Sequence, residues 1–136
     1  MGCFLGIDAS TQSVKCIVID TDSGTIPAES SVNFGSDLPA YRSPNGFLPN
    51  PDPLIRQADP AMWLDGLELA LTRLAATGFD LGRIDAISGS GQQHGSVCFR
   101  RELSLLDPKG SLAEQITPLL SRPVAPIWMD RSTAAE

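Results

Sequence analysis

Two short apolar segments, separated by a polar cluster, open the chain. Residues 3–7 are apolar, and in residues 14–19 apolar side chains occur on both alternating sets of positions. A strand with apolar residues on both faces is typical of the interior of a sheet. Residues 20–24 are rich in turn formers, and a third extended segment runs from there toward Phe34. The pattern predicts a three-stranded meander.

A proline-rich segment and a helix follow. Residues 35–61 show neither helical nor strand periodicity, which predicts a long irregular loop and leaves open whether it is functional or disordered. Asp59 as a cap, Pro60 at the first helical position and Gly78 as a left-handed exit predict a helix between them. Its apolar stripe, expected to pack on the sheet, consists of Trp63, Leu64, Leu67, Ala70, Leu71 and Leu74.

The next apolar segments predict two strands around a polar turn. Residues 84–88 and 96–99 are strand-like, and the glycine-rich residues 89–95 lie between them. A second strand therefore leads directly into a polar turn.

The last third of the chain predicts one short helix and one short strand. Ser111 and Glu114 have the spacing of a capping box, and residues 125–129 are strand-like. Thr133 and Glu136 are spaced like the start of another helix, at which the chain stops. We therefore expect the N-terminal piece of a longer protein, with some apolar surface left uncovered.

Length and charge narrow the class of protein. The chain has 136 residues, 42% of them hydrophobic, which suits one domain with one core. Ten basic and sixteen acidic residues give a net charge of -6, and the cations are not clustered. This charge disfavours nucleic acid and anionic membrane surfaces as partners. No apolar run reaches the roughly 18 residues of a membrane helix, and the N-terminus lacks a signal peptide pattern, so a cytoplasmic location is expected.

The three cysteines fit the same location. Cys3, Cys16 and Cys98 lie in apolar, strand-like surroundings and form no C-x-x-C pair. An odd number without such a pair disfavours a disulfide framework or a zinc site. We expect reduced core thiols.

Three polar clusters follow predicted strands, at residues 8–15, at residues 91–95 and at Asp130 with Arg131. Ligands of α/β sheets bind outside strand ends, so this shared position is informative. In the first cluster, backbone amides and hydroxyl groups can cradle phosphate oxygens, and Asp8 can hold Mg2+, which needs only one or two carboxylates. Lys15 can add charge or point away. A hydrophilic hairpin turn is the competing interpretation.

The second cluster contains His94, the one histidine of the chain. A lone histidine near apolar strands is more often a hydrogen-bonded structural residue than a ligand contact. Gln92 and Gln93 add amide groups suited to a polyol, and the flanking glycines allow close approach of the backbone. In the third cluster, Asp130 and Arg131 can pair with each other, and Asp130 is the better site candidate.

Three segments resemble, in order and spacing, the start of the FGGY family of carbohydrate kinases: "FLGIDASTQSVKCIVID", "ISGSGQQHGSV" and "APIWMDRSTAAE". They contain the patterns D-x-S-T-Q-x-x-K, S-G-x-G-Q-Q-H-G-S and P-x-W-M-D-x-S-T. Most of the wider family has glycine where Ser10 stands, and many bacterial xylulokinases have methionine where Gln93 stands. The chain therefore resembles most the eukaryotic-type xylulokinase subgroup, of which it would span about a quarter.

The resemblance implies an α/β domain of the actin-like, ribonuclease H-like ATPase fold, a mixed sheet with flanking helices, incomplete in this chain. Residues 1–136 would form the N-terminal part of the first domain. The rest of that domain, the general-base aspartate and a second, nucleotide-binding domain would lie beyond Glu136. Members transfer the γ-phosphoryl group of ATP, with Mg2+, to a sugar hydroxyl; for the subgroup, this is the terminal hydroxyl of D-xylulose. The chain alone is expected to be inactive.

Matching positions carry the implied roles. Asp8 belongs to the catalytic phosphate and magnesium motif, and Gln93 and His94 match the pair that contacts the sugar. Asp130 is added as a substrate-binding candidate. The phosphate-binding positions are Ser10, Thr11, Gln12, Ser13 and Lys15.

Other functions remain open. A sugar-sensing relative could keep the fold without turnover, and another polyol or sugar could replace D-xylulose. An actin-like or chaperone-like nucleotide switch shares the first hairpin, but a turn that suits a polyol, at residues 91–95, speaks against it. The sequence allows a homodimer without deciding on one.

Overall fold

The computed structural model describes residues 2–104 and 106–134. Residues 135 and 136 lie outside the described residues, and with them Glu136 of the helix start predicted at Thr133. In chain order the elements are β1 (Cys3–Ala9), β2 (Ser13–Asp20), β3 (Thr25–Asn33), α1 (Phe34–Asp37), a 3-10 turn (Pro39–Tyr41), β4 (Gln57–Ala58), α2 (Pro60–Ala76), a 3-10 turn (Leu81–Arg83), β5 (Ile84–Gly91), α3 (Leu112–Ile116), a 3-10 turn (Thr117–Leu119) and β6 (Ala125–Pro126).

The main sheet has four strands in the order β3-β2-β1-β5. Strands β1, β2 and β3 pair antiparallel, which confirms the predicted meander, and β5 pairs parallel to β1. Parallel neighbours need a crossover connection, and α2 lies within the segment that supplies it. The sheet is therefore mixed, with helices packed on it, as the resemblance to the carbohydrate kinases implies.

One face of the sheet is buried and the other is open. Val14, Cys16 and Val18 are fully buried, and α2 packs against β2 and β3. On the opposite face, Phe4 and Ile19 remain 41% and 45% exposed. The apolar positions on both faces of β2 are therefore explained by burial on one side and by an uncovered apolar surface on the other.

Helix α2 begins and ends where its capping residues predict. The Asp59 carboxylate accepts a hydrogen bond from the Ala61 amide at 2.9 Å, and Pro60 is the first helical residue. Gly78, two residues past the helix, has a φ of 83°. Local capping signals are therefore sufficient to delimit this element.

The buried face of α2 is only partly the predicted stripe. Ala70 and Leu74 are fully buried as expected, but Trp63 is only partly buried, as are the predicted leucines 64, 67 and 71. Met62 and Gly66 take the central buried positions instead. A Cβ on Gly66 would lie 2.6 Å from Phe34 Cε1, so the missing side chain is what lets the helix approach this ring.

The predicted irregular loop contains short ordered pieces and is anchored at several points. It begins within α1, includes β4, and ends within the first turn of α2. Asp37 forms a bidentate ion pair with Arg73 of α2, with both N to O distances at 3.0 Å. The Tyr41 hydroxyl donates to Asp65 at 2.5 Å. The segment is thus fastened to α2.

The strand predicted over residues 96–99 is wrong. The chain leaves the sheet after β5, since His94 has a φ of 57° and Gln92 is the last residue whose amide continues the pairing, to Ala9 O at 3.0 Å. Residues 96–99 instead contact the C-terminal segment, through Ser96 N to Pro126 O and an isolated bridge from Phe99 to Leu120.

Other predictions are confirmed in part. The strand predicted over residues 125–129 is limited to β6, which pairs with β4. Ser111 caps α3 by accepting from Glu114 N, as predicted. All three cysteines are free, and Cys3 and Cys16 are buried, but Cys98 is exposed, so its assignment to the core is wrong. Cys98 follows the turn that leaves the sheet, which explains its exposure.

Candidate functional site

The two polar turns meet at one edge of the sheet. In the β1 to β5 register, Ala9 lies beside Gly91 and Asp8 beside Ser90, so the ends of both strands point the same way. The loops that follow these two strands line an open pocket of about 330 Å³. Its lining residues are Asp8, Ser10, Thr11, Gly91, Gln92, Gln93, His94 and Trp128. Five of the predicted site residues thus line one cavity: Asp8, Ser10 and Thr11 from the first turn, and Gln93 and His94 from the second.

Asp8 is exposed at the end of β1 and is held by a neighbouring strand. The Ser90 hydroxyl donates to Asp8 Oδ1 at 2.5 Å. Asp8 also lines a second hollow of about 230 Å³, on the open face of the sheet, together with Lys15 and Ser88. The sequence analysis did not identify Ser90 as a site residue. Its position near the end of a strand that runs parallel to β1 could have indicated that it lies beside Asp8.

The turn between β1 and β2 is closed by its own hydroxyl groups. The oxygens of the Ser10 and Ser13 hydroxyls lie 2.9 Å apart, and Ser10 N donates to Ser13 O at 2.9 Å. Phe34 N, at the start of α1, donates to Gln12 O at 2.9 Å and so connects the turn to that helix. Within residues 2–104 and 106–134, the amides of Thr11 and Gln12 make no hydrogen bond, so two N–H donors remain available to an anion.

Lys15 does not line the 330 Å³ pocket, but it shares the second hollow with Asp8. It is the cross-strand neighbour of Asp8, and its Nζ lies 3.6 Å from Glu29 Oε2 on the open face of the sheet. Both side chains of this ion pair are more than half exposed, at 51% and 62%. Exposed ion pairs contribute little to stability, so the Lys15 ammonium group can exchange partners at low cost.

Gln93 and His94 form the tip of the second turn, and both side chains are exposed. The left-handed backbone of His94 is uncommon for a residue with a side chain. It turns the chain so that His94 lines the 330 Å³ pocket and a second cavity of about 310 Å³. Residues in such conformations cluster at ligand sites.

Asp130 lies in the second of these cavities and outside the first. Its Oδ2 accepts from Arg56 N at 2.8 Å, and its Oδ1 accepts from the Ser132 hydroxyl at 2.5 Å and from Ser132 N at 3.0 Å. The Ser132 hydroxyl, followed by these amides and the Arg56 charge, lowers the pKa of Asp130. The carboxylate is therefore ionised and joins the C-terminal segment to residue 56.

Trp128 is a site residue that the sequence analysis left out. Its indole Nε1 donates to Thr11 Oγ1 at 2.9 Å, and its ring lines both cavities. The two residues are 117 positions apart in the chain. Its position directly before Met129 and Asp130, at the end of a predicted strand, could have indicated that Trp128 is a site residue.

The arrangement suits a ligand that carries both hydroxyl groups and a nearby anion. Amide and imidazole groups of the second turn line one pocket with the Asp8 carboxylate, and the backbone amides of Thr11 and Gln12 belong to the turn that follows Asp8. Such groups recognise a polyol through its hydroxyls and a phosphate through backbone N–H donors. In the described part of the chain, no three potential metal ligands cluster together, and none of the helices could span a membrane.

Comparison with known proteins identifies the family. No protein-family model matches the chain. It is 41% identical over 138 aligned residues to Xylulose kinase 2 of Arabidopsis thaliana and 39% identical to Xylulose kinase of Rattus norvegicus, covering 98% of this chain in both cases. It spans 25% and 26% of those proteins, about a quarter of their length.

A solved structure shows the same fold. Ligand-bound xylulose kinase from Lactobacillus acidophilus superimposes with a TM-score of 0.63 at 20% identity, over 99% of this chain and 21% of that protein. The chain thus has the actin-like ATPase fold of these sugar kinases, with only part of the domain present. The chain belongs to the FGGY family of carbohydrate kinases, and its sequence is similar to those of the xylulose kinases.

Proposed function

We propose that this chain is the N-terminal part of the first domain of a kinase that transfers the γ-phosphoryl group of ATP to D-xylulose, giving D-xylulose 5-phosphate. The observation that carries the proposal is the single pocket shared by the turn after Asp8 and the turn that bears His94. The similarity to xylulose kinases over 98% of the chain supports the choice of sugar.

Asp8 is proposed as the catalytic carboxylate that holds Mg2+. Its exposure and its location at the pocket leave it accessible, and Ser90 fixes one of its two oxygens. Mg2+ keeps several waters and binds through one or two carboxylates, so a lone aspartate fits it even though the described residues contain no larger ligand cluster. When bound, the ion would neutralise charge on the phosphate oxygens.

The turn between β1 and β2 is proposed to receive the transferred phosphoryl group. The amides of Thr11 and Gln12 are the donors available there, and the bonds between Ser10 and Ser13 keep them in place. Lys15 would add positive charge after leaving Glu29. In phosphoryl transfer most of the catalysis comes from positioning and from neutralising charge, which are the functions such a turn can perform.

The sugar is proposed to bind against the second turn. Gln93 and His94 would form hydrogen bonds with the sugar hydroxyl groups, because both side chains are exposed and line the pocket. Asp130 is proposed to contact the sugar from the 310 Å³ cavity that it shares with His94. Its two oxygens already accept bonds from Arg56 and Ser132, so this contact would be an additional one.

The remaining parts of the activity are proposed to lie beyond residue 136, namely the base that takes the hydroxyl proton and the domain that binds adenine. We propose that the protein is cytoplasmic, and a homodimer is one assembly to test by sedimentation. Sugar and ATP are its proposed small-molecule partners.

Sugar-dependent ADP formation by the longer protein tests the proposal. Asp8→Asn should lower kcat by about 100-fold or more, the usual loss when a group that stabilises transition-state charge is removed. Asp22→Asn is the matched control, because Asp22 is an exposed aspartate in the turn between β2 and β3, remote from the pocket in the sheet. A wild-type protein that phosphorylates no ketopentose would contradict the proposal.

A panel of polyols separates the alternatives. The His94 ring resonances should shift with D-xylulose more strongly than with D-ribulose or glycerol, because His94 lines the proposed sugar pocket. Binding of D-xylulose without any ADP formation would identify a sugar-sensing relative. Stronger binding of another polyol would keep the kinase and change its substrate.

A further inference from the structure

The indole of Trp128 is held by one hydrogen bond although it is largely exposed. The side chain is 54% exposed, and its Nε1 donates to Thr11 Oγ1 at 2.9 Å. An exposed tryptophan has several rotamers open to it, so a single polar contact can decide which one is populated. The ring in the observed position forms part of the wall of the 330 Å³ pocket.

The Thr11 hydroxyl connects three segments that are distant in the sequence. It accepts from Trp128 and donates to Gln92 Oε1 at 3.3 Å. A threonine hydroxyl has one donor proton, and here that proton is directed to Gln92. The backbone of Gln92 is itself fixed to β1, because its backbone N–H donates to Ala9 O at 3.0 Å. The three side chains thus form one hydrogen-bonded chain along the wall of the pocket.

The backbone beneath Thr11 has little freedom to move. A Cβ on Gly46 would lie 1.8 Å from Thr11 O, so the proline-rich segment is in close contact with the turn. On the other side, Phe34 N donates to Gln12 O at 2.9 Å, and Phe34 is fully buried. The backbone of Thr11 is therefore held in place, so its hydroxyl can fix the orientation of the Trp128 ring.

We infer that Thr11 is a positioning residue, whose hydroxyl group holds the Trp128 indole as a wall of the pocket and thereby sets how tightly a polyol is bound. The inference rests on the proposed function only in taking a polyol as the ligand. It assigns the Thr11 side chain to the sugar side of the site, whereas the backbone N–H of the same residue remains free for phosphate.

The hydrogen bond is measured directly from the indole N–H resonance. The chain has two tryptophans, and Trp63→Phe identifies the Trp128 signal by elimination. Thr11→Val, which has the same shape without the hydroxyl, should move the Trp128 indole proton upfield, and Thr11→Ser should restore it. Thr117→Val is the matched control, because the Thr117 hydroxyl donates to Ala113 O and touches neither tryptophan indole. An indole signal that stays unchanged in Thr11→Val overturns the inference.

Kinetics of the longer protein test the consequence. Thr11→Val should raise KM for D-xylulose about five-fold, the effect of one ordinary hydrogen bond, with less than about a two-fold change in KM for ATP. Trp128→Phe keeps an aromatic ring, removes the donor and also removes part of the wall, so it should raise this KM at least as much, and Thr11→Val should add nothing further in the Trp128→Phe background. A KM for ATP that rises as much as that for the sugar overturns the inference.

The proposed function and the positioning role of Thr11 can each be wrong without the other. If the wild-type protein phosphorylates no ketose, the proposed function is wrong and the indole resonance alone decides whether Thr11 holds Trp128. If the wild-type protein is active and Thr11→Val leaves both the indole signal and the KM for sugar unchanged, the proposed function stands and the positioning role is wrong.

Discussion

Replacing Gly46 by alanine tests whether the proline-rich segment really supports the turn at the site. A Cβ at this position would lie 1.8 Å from Thr11 O and 2.7 Å from Thr11 C, and both are backbone atoms that cannot rotate away. The Gly46 φ of 82° adds a second cost, because side chains disfavour left-handed backbone. The left-handed conformation costs about 1–2 kcal/mol and forced repacking about 1–3 kcal/mol, so Gly46→Ala should destabilise the fold by about 2–5 kcal/mol.

Gly78→Ala is the matched control. Its φ of 83° is nearly the same, and no atom lies within 4 Å of the place where its Cβ would be. It should therefore cost only the backbone term of about 1–2 kcal/mol. The difference between the two variants, about 1–3 kcal/mol, measures the contact with Thr11.

Urea denaturation of both variants gives this difference. With a slope of about 2 kcal/mol per molar, a gap of 2 kcal/mol separates the two midpoints by about 1 M, provided that the slopes agree. Equal midpoints for the two variants would show that the segment does not press on the turn, and would remove the support that we infer beneath Thr11. A lower midpoint for Gly78→Ala would have the same meaning.

Three further outcomes are expected. Asp59→Ala should destabilise the fold by about 1 kcal/mol in urea denaturation, because it removes the cap of the Ala61 amide, and an unchanged midpoint would contradict that role. The hydrogen bond from Arg73 lowers the pKa of Asp37 below its ordinary 3.8 in the folded state, so this carboxylate stabilises the fold above that pH and ceases to do so as pH falls through its folded pKa. The midpoints of Asp37→Asn and wild type should therefore differ at neutral pH and converge well below pH 3.8, and a constant difference would contradict this linkage. Finally, purified residues 1–136 should form no ADP with D-xylulose and ATP, and measurable turnover would show that the base lies within the chain.

Local signals in the sequence predict most of the scaffold. Alternating apolar positions and a turn-rich segment are enough for the meander, and Asp59, Pro60 and Gly78 are enough for the helix. The shared edge of the two polar turns could also be predicted, because ligands bind where strands end, and the pocket that contains Asp8 and His94 agrees with it. The roles of the individual site residues stay predictions.

The parts that the sequence did not predict depend on contacts between distant residues. Residues 96–99 have the composition of a strand, but their partners are Pro126 and Leu120 rather than a neighbouring strand of the sheet. The hydrogen bond from Trp128 to Thr11 joins residues 117 positions apart, and no local sequence pattern predicts it. The buried face of α2 does follow helical spacing, through Met62, Gly66, Ala70 and Leu74, but it is rotated away from the row of large apolar residues. Gly66 was missed because its place on this face depends on the close approach of Phe34, which is distant in the sequence.

Strand β5 has a consequence for handling the chain in solution. It is a terminal strand of the main sheet, seven of its eight residues are exposed, and Ile87 on it is 66% exposed. An uncovered strand of this length offers a row of backbone donors and acceptors that a second molecule can extend. We therefore expect the isolated chain to self-associate as its concentration rises, and charged substitutions on β5, such as Ile87→Lys, to keep it monodisperse.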